Sequence, residues 1–138
     1  MGGPVTFKVR AAQTDGTLTA YENVVAPGDG PPCHVHRAED ETFWVIDGAL
    51  RFRLGDEVHS APTGSFLFIP RGTPHCFQNV GDRPARVMVL LTPSGMEWFL
   101  ERLAALGPDD VDQETFLTLM REEGMDVVGP PLAVSHPL

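Results

Sequence analysis

The first 93 residues consist of short apolar or alternating segments separated by Gly, Pro and Asp. Segments such as VTFKV, ETFWVI, ALRFRL and SFLFIP have the length and the alternation of β-strands. Many short strands with Gly and Pro at the corners favour an antiparallel sandwich or barrel over a parallel sheet. Asp47-Gly48 predicts a two-residue hairpin turn, and Gly55-Asp56 predicts a second reversal. We therefore expect an all-β barrel over residues 1–93.

The hydrophobic period lengthens after residue 93 and becomes typical of helices. Ser94 and Glu97 have the spacing of a capping box, which predicts a helix that ends at Gly107-Pro108. A second helix is predicted from about Asp112 to Glu123. We expect residues 94–138 to form a helical extension packed on the outside of the barrel. The length of 138 residues predicts a single domain overall.

The balance of charge argues against two classes of partner. The chain has 10 Lys and Arg residues against 19 Asp and Glu residues, a formal net charge of −9. Because phosphate backbones and anionic membranes attract positive charge, we expect neither nucleic acid nor a membrane as a partner. No stretch has the apolar length of a membrane span, and no leader segment is evident. We expect a cytoplasmic protein, and the excess of Arg over Lys indicates a bacterial source.

Three histidines and one glutamate are candidate metal ligands. His34 and His36 lie one residue apart on a predicted strand, so their side chains share a face. The polar RAED stretch lets the chain turn, so that Glu41 opens the next strand facing the same centre. The tight IPRGTP corner then supplies His75 as a fourth ligand. Imidazole with one carboxylate suits a divalent transition metal ion, namely Fe, Mn, Co, Ni, Cu or Zn.

An isolated His-x-His pair is weak support for a metal site, because paired histidines also occur on exposed strands. The apolar surroundings of these candidates strengthen it, since an unpartnered polar side chain is costly there. His59 lies in a polar hairpin region and His136 in a Pro-rich tail, so we expect both to be exposed and not to bind metal. Cys33 and Cys76 form no thiolate-ligand spacing, and we expect reduced, buried thiols.

Apolar residues on the same strands are candidates for the lining of a substrate pocket. For each of them, simple filling of the core is the alternative interpretation. We expect Arg51 and Arg53 to face away from the cavity, because they alternate with apolar residues. An asparagine among the candidates either orients polar groups near the metal or ties a strand end. The pocket candidates are Phe43, Val45, Phe52, Phe66, Phe68, Phe77, Asn79 and Met88.

The candidate ligands lie within two motifs that contain glycines at fixed spacing. The first motif is Gly28, His34, His36, Glu41 and Gly48, and the second is Gly64, Pro70, Gly72, His75 and Asn79. In both motifs the chain resembles the cupins. The resemblance implies a double-stranded β-helix, or jelly-roll, barrel with a metal ion bound by the three histidines and the glutamate. The C-terminal part, including MREEGMDVVGPPL, is similar to small single-domain cupins grouped with quercetin 2,3-dioxygenase.

Three hypotheses for function follow. Four protein ligands leave up to two positions open on a six-coordinate metal. The first hypothesis is therefore a dioxygenase that acts on a small enolisable or aromatic substrate. In this reaction Glu41 would be both a metal ligand and the base. The second hypothesis is a non-oxidative metalloenzyme, such as an isomerase, decarboxylase or cyclase. The third is a cupin that binds a small molecule without turnover. Exposed strand edges further predict a homodimer that pairs or covers N-terminal strands around Val5 to Val9.

Overall fold

The computed structural model describes residues 3–138, which form two five-stranded antiparallel sheets packed face to face. Strands and helices are numbered in chain order. The first sheet has the spatial order β1 (Val5–Val9), β2 (Thr19–Val25), β9 (Ala85–Thr92), β4 (Asp40–Asp47) and β7 (Phe66–Ile69). The second sheet has the order β10 (Met125–Pro131), β3 (Pro32–His36), β8 (His75–Asn79), β5 (Ala49–Leu54) and β6 (Glu57–Pro62). The predicted all-β jelly-roll is confirmed.

Strand β10 corrects the prediction of a purely helical extension over residues 94–138. The chain returns to the barrel after its helices and pairs antiparallel with β3, with Met125 opposite His36. The sequence pattern missed this strand because it contains Gly129, Pro130 and Pro131, which usually indicate loops. Proline is tolerated here because β10 lies at the edge of its sheet, where one side of the strand needs no hydrogen bonds.

Of the two predicted turns, one is confirmed and one is wrong. Gly55-Asp56 joins β5 to β6, and Leu54 stands opposite Glu57 in the resulting hairpin. Asp47-Gly48 joins β4 to β5, but these strands lie in different sheets and do not pair. The residues after β4 therefore carry the chain from one sheet to the other, a path that a local turn pattern does not distinguish from a hairpin.

The core lies between the inner faces of the two sheets. Along β4, Glu41, Phe43 and Val45 are buried, while Thr42 and Trp44 on the opposite face are more exposed. This alternation follows from the geometry of an extended strand, whose successive side chains point to opposite faces. The inner face of the first sheet is therefore largely apolar, and Glu41 is one of its few polar positions.

Two helices follow the last strand of the first sheet. Helix α1 spans Met96–Ala105 and helix α2 spans Gln113–Glu122, close to the predicted bounds. The predicted capping box at Ser94 is wrong, because Gly95 is the N-cap of α1 and no side chain caps it. Glu97 is instead buried, and its carboxylate accepts hydrogen bonds from the Ala11 and Gly95 N–H groups and the Thr19 hydroxyl. These hydrogen bonds attach the start of α1 to β2 and to the segment around Ala11 that precedes β2.

A short third helix, α3 (Leu132–Ser135), covers the outer face of the second sheet. Leu132 packs over Cys33 and Cys76, which are free and buried as predicted. The Arg51 side chain lies on this outer face and donates to the Gln78 side chain at 2.9 and 2.7 Å. The prediction that Arg51 faces away from the cavity is confirmed. Within residues 3–138, no helix combines the length and the apolar character required to cross a membrane.

Candidate metal centre

The three candidate histidines lie on neighbouring strands and point into the barrel. His34 and His36 share the inner face of β3, and His34 stands directly opposite His75 of β8. Their exposed fractions are 7%, 3% and 1% respectively. Because adjacent strands lie about 4.8 Å apart, this register brings residues distant in sequence within reach of one another. The predicted convergence of the three imidazoles is observed.

Glu41 reaches the same centre from the opposite sheet. Residues 37–39 carry the chain from β3 in the second sheet to β4 in the first, so the side chain points across the barrel. The polar stretch thus directs the carboxylate toward the histidines, as expected. It does so by carrying the chain from one sheet to the other. We call His34, His36, Glu41 and His75 the buried cluster. These are the four residues that the sequence groups as candidate ligands.

The buried cluster is compact enough to share one ion. One potential ligand atom from each of the four residues lies within 4.8 Å of all the others. The Glu41 carboxylate oxygen lies 2.6 Å from His36 Nε2 and 3.3 Å from His75 Nε2. Donors bound to a common transition metal lie within about 4.2 Å of each other, given bonds of about 2.1 Å. The cluster could therefore hold a metal ion after small shifts, in which the longest separations shorten and the Glu41–His36 pair moves slightly apart.

Backbone carbonyls orient two of the imidazoles. His34 Nδ1 lies 2.8 Å from the Pro32 carbonyl oxygen, and His75 Nδ1 lies 2.9 Å from that of Thr73. A carbonyl oxygen only accepts hydrogen bonds, so each Nδ1 carries the proton. In the neutral ring the lone pair is then on Nε2, the atom that a metal ion needs. The local chain path thus selects the tautomer suited to metal binding.

His36 lacks such a carbonyl partner, and its Nδ1 atom faces Glu39 instead. His36 Nδ1 lies 3.8 Å from Glu39 Oε2, beyond normal hydrogen-bond length. Both atoms are buried, and neither has a hydrogen-bond partner among the described residues. Buried polar groups are usually satisfied, so two facing unpartnered atoms are unusual in a protein interior. Carboxylates commonly hold the second nitrogen of a metal-binding histidine in this way.

Burial and mutual charge set the protonation of the buried cluster. Burial, together with the neighbouring His75 and His36, lowers the pKa of His34 to about 3. Burial alone would raise the pKa of Glu41, but the charges and hydrogen bonds of His36 and His75 hold it well below its usual range. Burial alone would lower the pKa of His36, but the charge and hydrogen bond of Glu41 raise it. The cluster therefore presents a neutral His34 and an anionic Glu41, and a metal ion that binds His36 would displace its Nε2 proton.

A cavity of about 110 Å³ lies beside the buried cluster, between the barrel and the two helices. Two of the predicted lining residues, Phe43 and Phe77, border this cavity. Helices α1 and α2 form its other side, so they cover the barrel opening and contribute to the candidate site. The helical residues that border it are Met96, Phe99, Leu100, Leu103, Phe116 and Met120.

Three predicted lining residues lie instead on the outer face of the first sheet. Phe66 and Phe68 are 70% and 58% exposed, because their neighbours Leu67 and Ile69 occupy the inward positions of β7. Met88 alternates with the buried residues of β9 and also points outward. These three assignments are corrected. A strand pattern in which every residue is apolar does not reveal which alternate set faces the core.

The remaining predicted residues are buried but do not border the cavity. Val45 and Phe52 belong to the hydrophobic core. Asn79 ties a strand end, because its side-chain amide donates to the carbonyls of Val25 and Arg83 at 2.9 Å each. The predicted exposure of His59 and His136 is observed, and neither belongs to the buried cluster.

Sequence reasoning missed two polar residues of the cavity, Tyr21 and Asn23. Both lie on the inner face of β2 and border the cavity together with the buried cluster. In the register of the first sheet, Tyr21 stands opposite Val89, which in turn stands opposite Phe43 of β4. The alternation in TAYENVV could have identified these two residues as inward-facing polar groups.

Residues 22–91 match the Cupin domain family. Protein SchB of Streptomyces halstedii is 39% identical over 90 residues, 62% of this chain and 65% of that protein. Tetracenomycin polyketide synthase protein TcmJ of Streptomyces glaucescens is 34% identical over 80 residues, 58% of this chain and 52% of that protein. Quercetin 2,3-dioxygenase of Bacillus subtilis is 39% identical over 51 residues, 37% of this chain and 15% of that protein. The chain thus matches less than two thirds of the length of each of these relatives.

The fold also resembles solved structures. KdgF from Halomonas sp. superimposes with a TM-score of 0.62 at 19% sequence identity, over 68% of this chain and 81% of that protein. At this level of identity the similarity supports the fold alone.

Proposed function

The chain belongs to the cupin domain family, and we propose that it is a metal-dependent dioxygenase acting on a small enolisable or aromatic substrate. The convergence of His34, His36, Glu41 and His75 beside an apolar cavity carries this proposal. The partial similarity to a quercetin 2,3-dioxygenase gives it further support.

The donor set of the buried cluster fits one divalent transition metal ion, drawn from Fe, Mn, Ni, Co, Cu and Zn. The Nδ1 atoms of His34 and His75 are engaged by backbone carbonyls, so their Nε2 lone pairs are available to an ion. Imidazole nitrogen suits these borderline cations, whereas Mg²⁺ and Ca²⁺ favour oxygen ligands. A metal ion held by these residues would supply Lewis acidity to a chelating substrate.

Glu41 serves as the base in the proposed reaction. Its carboxylate is buried at the border of the cavity, and a proton removed from an enol or phenol hydroxyl of the substrate passes to a carboxylate oxygen. The resulting electron-rich substrate is the species that dioxygen oxidises, with both oxygen atoms ending in the product. Phe43 and Phe77 border the cavity and limit the access of water to the deprotonated substrate.

The second candidate function is a non-oxidative reaction, such as a cyclisation, at the same site. It is favoured by the relatives named as polyketide synthase proteins, TcmJ and CurC of Streptomyces cyaneus. The CurC match reaches 72% of this chain, more than the quercetin dioxygenase match. Polyketide intermediates are enolisable, so proton removal by Glu41 serves both candidate functions.

Oxygen consumption distinguishes the candidate functions. Protein reconstituted in turn with Fe, Co and Ni is incubated with maltol, catechol and short β-diketones in an oxygen electrode, with parallel anaerobic samples. We expect oxygen uptake that requires both metal and substrate, with product formed only under air. Equal product under anaerobic conditions would support the non-oxidative reaction, and saturable binding without product would support a binding protein.

We expect Glu39 to position His36 for metal binding. The change Glu39→Gln removes the carboxylate near His36 Nδ1 and should weaken Co(II) affinity by about tenfold or more, the usual effect of losing such a partner. Glu57→Gln is the matched control, because Glu57 lies 3.2 Å from the exposed His59. Titration of both variants with Co(II), followed by visible absorption, checks this. Equal affinities in the two variants would show that Glu39 has no such role.

We also propose a homodimer formed through the N-terminal strands, in a cytoplasmic bacterial protein. Strand β1 (Val5–Val9) lies at the edge of the first sheet, and an exposed edge offers backbone groups for pairing. Light scattering at micromolar concentration should give twice the chain mass. The change Thr6→Pro, at an exposed position of β1, should shift the mass toward the monomer. A monomeric wild-type protein would contradict the proposal.

A further inference from the structure

We propose that this site takes compact, single-ring ligands, because helices α1 and α2 cover one side of the cavity beside the buried cluster and restrict its volume. The ligand directs its chelating oxygens toward the cluster and other polar groups toward Tyr21 and Asn23. This inference rests on the proposed function and names its substrate class. It concerns residues of the helices that lie beyond the cupin match over residues 22–91.

The two helices form a fixed wall of the cavity. Phe99 of α1 and Phe116 of α2 border the cavity and pack edge to face, with ring centroids 6.2 Å apart. Arg102 of α1 donates to Glu123 at 2.7 Å and to Glu122 at 2.8 Å, which joins the two helices on the outside. Together with the buried hydrogen bonds of Glu97 to β2, these contacts hold the helices against the barrel. A ligand must therefore fit beneath them or displace them.

The size of the cavity limits what fits beneath the helices. Its volume is about 110 Å³. A buried apolar cavity of about 150 Å³ accommodates benzene, and pockets for larger, drug-sized ligands have about 300–1,000 Å³. A single six-membered ring with oxygen substituents would occupy essentially all of this space. A flavonol has two fused rings and a third attached ring, so its additional rings must lie in the open mouth of the cavity or displace the helices.

The cavity also offers two polar contacts away from the buried cluster. Tyr21 is 7% exposed, and burial, together with the charge of Glu41, raises its pKa, so its hydroxyl stays protonated and can donate. Asn23 Oδ1 is buried without a hydrogen-bond partner among the described residues. An unsatisfied buried acceptor is costly, and a ligand hydroxyl would satisfy it. The two residues lie two positions apart on β2 and face the same cavity.

A pair of probes with the same chelating group tests the size limit. Maltol and 3-hydroxyflavone both carry a hydroxypyranone, but only the second has additional rings. Binding to Co(II)-loaded and metal-free protein is measured by equilibrium dialysis. We expect the loaded wild-type protein to bind maltol at least about tenfold more tightly than 3-hydroxyflavone. Phe99→Ala, or the milder Leu100→Ala, should reduce that preference, whereas Phe66→Ala on the outer face should not.

The polar contact is tested by Tyr21→Phe, which keeps the ring and removes the hydroxyl. Maltol affinity should fall about two- to tenfold, the range for one hydrogen bond, while Co(II) affinity is unchanged. Equal wild-type affinities for the two probes would overturn the size limit, and unchanged maltol binding in Tyr21→Phe would overturn the polar contact. Failure of the protein to bind Co(II) would contradict the proposed function but not the size limit. The size limit would still be supported if metal-free protein bound maltol more tightly than 3-hydroxyflavone.

Discussion

Replacement of His75 by alanine is expected to lower the affinity for Co(II) or Zn(II) by more than about 100-fold. His75 is 1% exposed, and its Nε2 atom faces the Glu41 carboxylate at 3.3 Å. Loss of a partner that only orients a ligand costs about 10- to 100-fold, so loss of a ligand itself should exceed that range. Competition with a chelator of known affinity measures the change.

His59→Ala is the control for this experiment, because it removes an exposed histidine outside the buried cluster. Its metal affinity should equal that of the wild-type protein. Circular dichroism of both metal-free variants separates a loss of metal binding from a loss of fold. An His75→Ala variant that is folded and binds metal within threefold of the wild-type affinity would contradict the ligand assignment.

The second large effect is expected on stability, at Glu97. The change Glu97→Ala leaves the Ala11 N–H, the Gly95 N–H and the Thr19 hydroxyl without their acceptor. Hydrogen bonds to a charged group contribute about 1.5–3 kcal/mol each, and their losses at one site are not additive. We expect the free energy of unfolding to fall by about 3 kcal/mol, a large share of the typical total of about 5–15 kcal/mol. Urea unfolding at neutral pH measures this change.

Two further variants and the dependence on pH identify the cause. Glu97→Gln keeps an acceptor and should recover part of the loss, while Glu101→Ala removes an exposed carboxylate from the same helix and should cost less than about 1 kcal/mol. Burial alone would raise the pKa of Glu97, but hydrogen bonds from Ala11 and Thr19 lower it.

A lowered pKa in the folded state means that this stability is present above the usual value of 4.5 and is lost as the pH falls below it. The difference between wild-type and Glu97→Ala should therefore shrink in acid. A difference that is constant from pH 7 to pH 3, or an unfolding free energy unaffected by Glu97→Ala, would contradict this role.

The convergence of the buried cluster could be predicted from the sequence because strand alternation and local turns determine where its side chains point. His34 and His36 share a face in any extended strand, and the corner before His75 aims that residue inward. Glu41 was also predicted correctly, although its change of sheet was not, because a polar break in the pattern permits several chain paths. The short-range pattern thus predicts which way each of these side chains points, but it does not predict the sheet to which each strand belongs.

The cavity wall could not be predicted in the same way. Phe66 and Phe68 were assigned inward, but β7 is apolar on both faces and a shift of one residue exchanges them. The helical period gave the apolar faces of α1 and α2 but not the surface they cover, so Phe99 and Phe116 were not linked to the site. Glu97 was assigned to a local cap because the long-range partners Ala11 and Thr19 become neighbours only in the folded chain.

Anomalous diffraction from crystals of protein purified without added metal tests the central claim most directly. Data collected above and below the absorption edges of the transition metals should give one anomalous peak per chain, about 2.0–2.3 Å from the Nε2 atoms of His34, His36 and His75 and from a Glu41 carboxylate oxygen. The edge at which the peak appears identifies the metal. Crystals soaked in excess metal that show no peak there, with the Glu41 carboxylate still hydrogen-bonded to His36 Nε2, would contradict the claim.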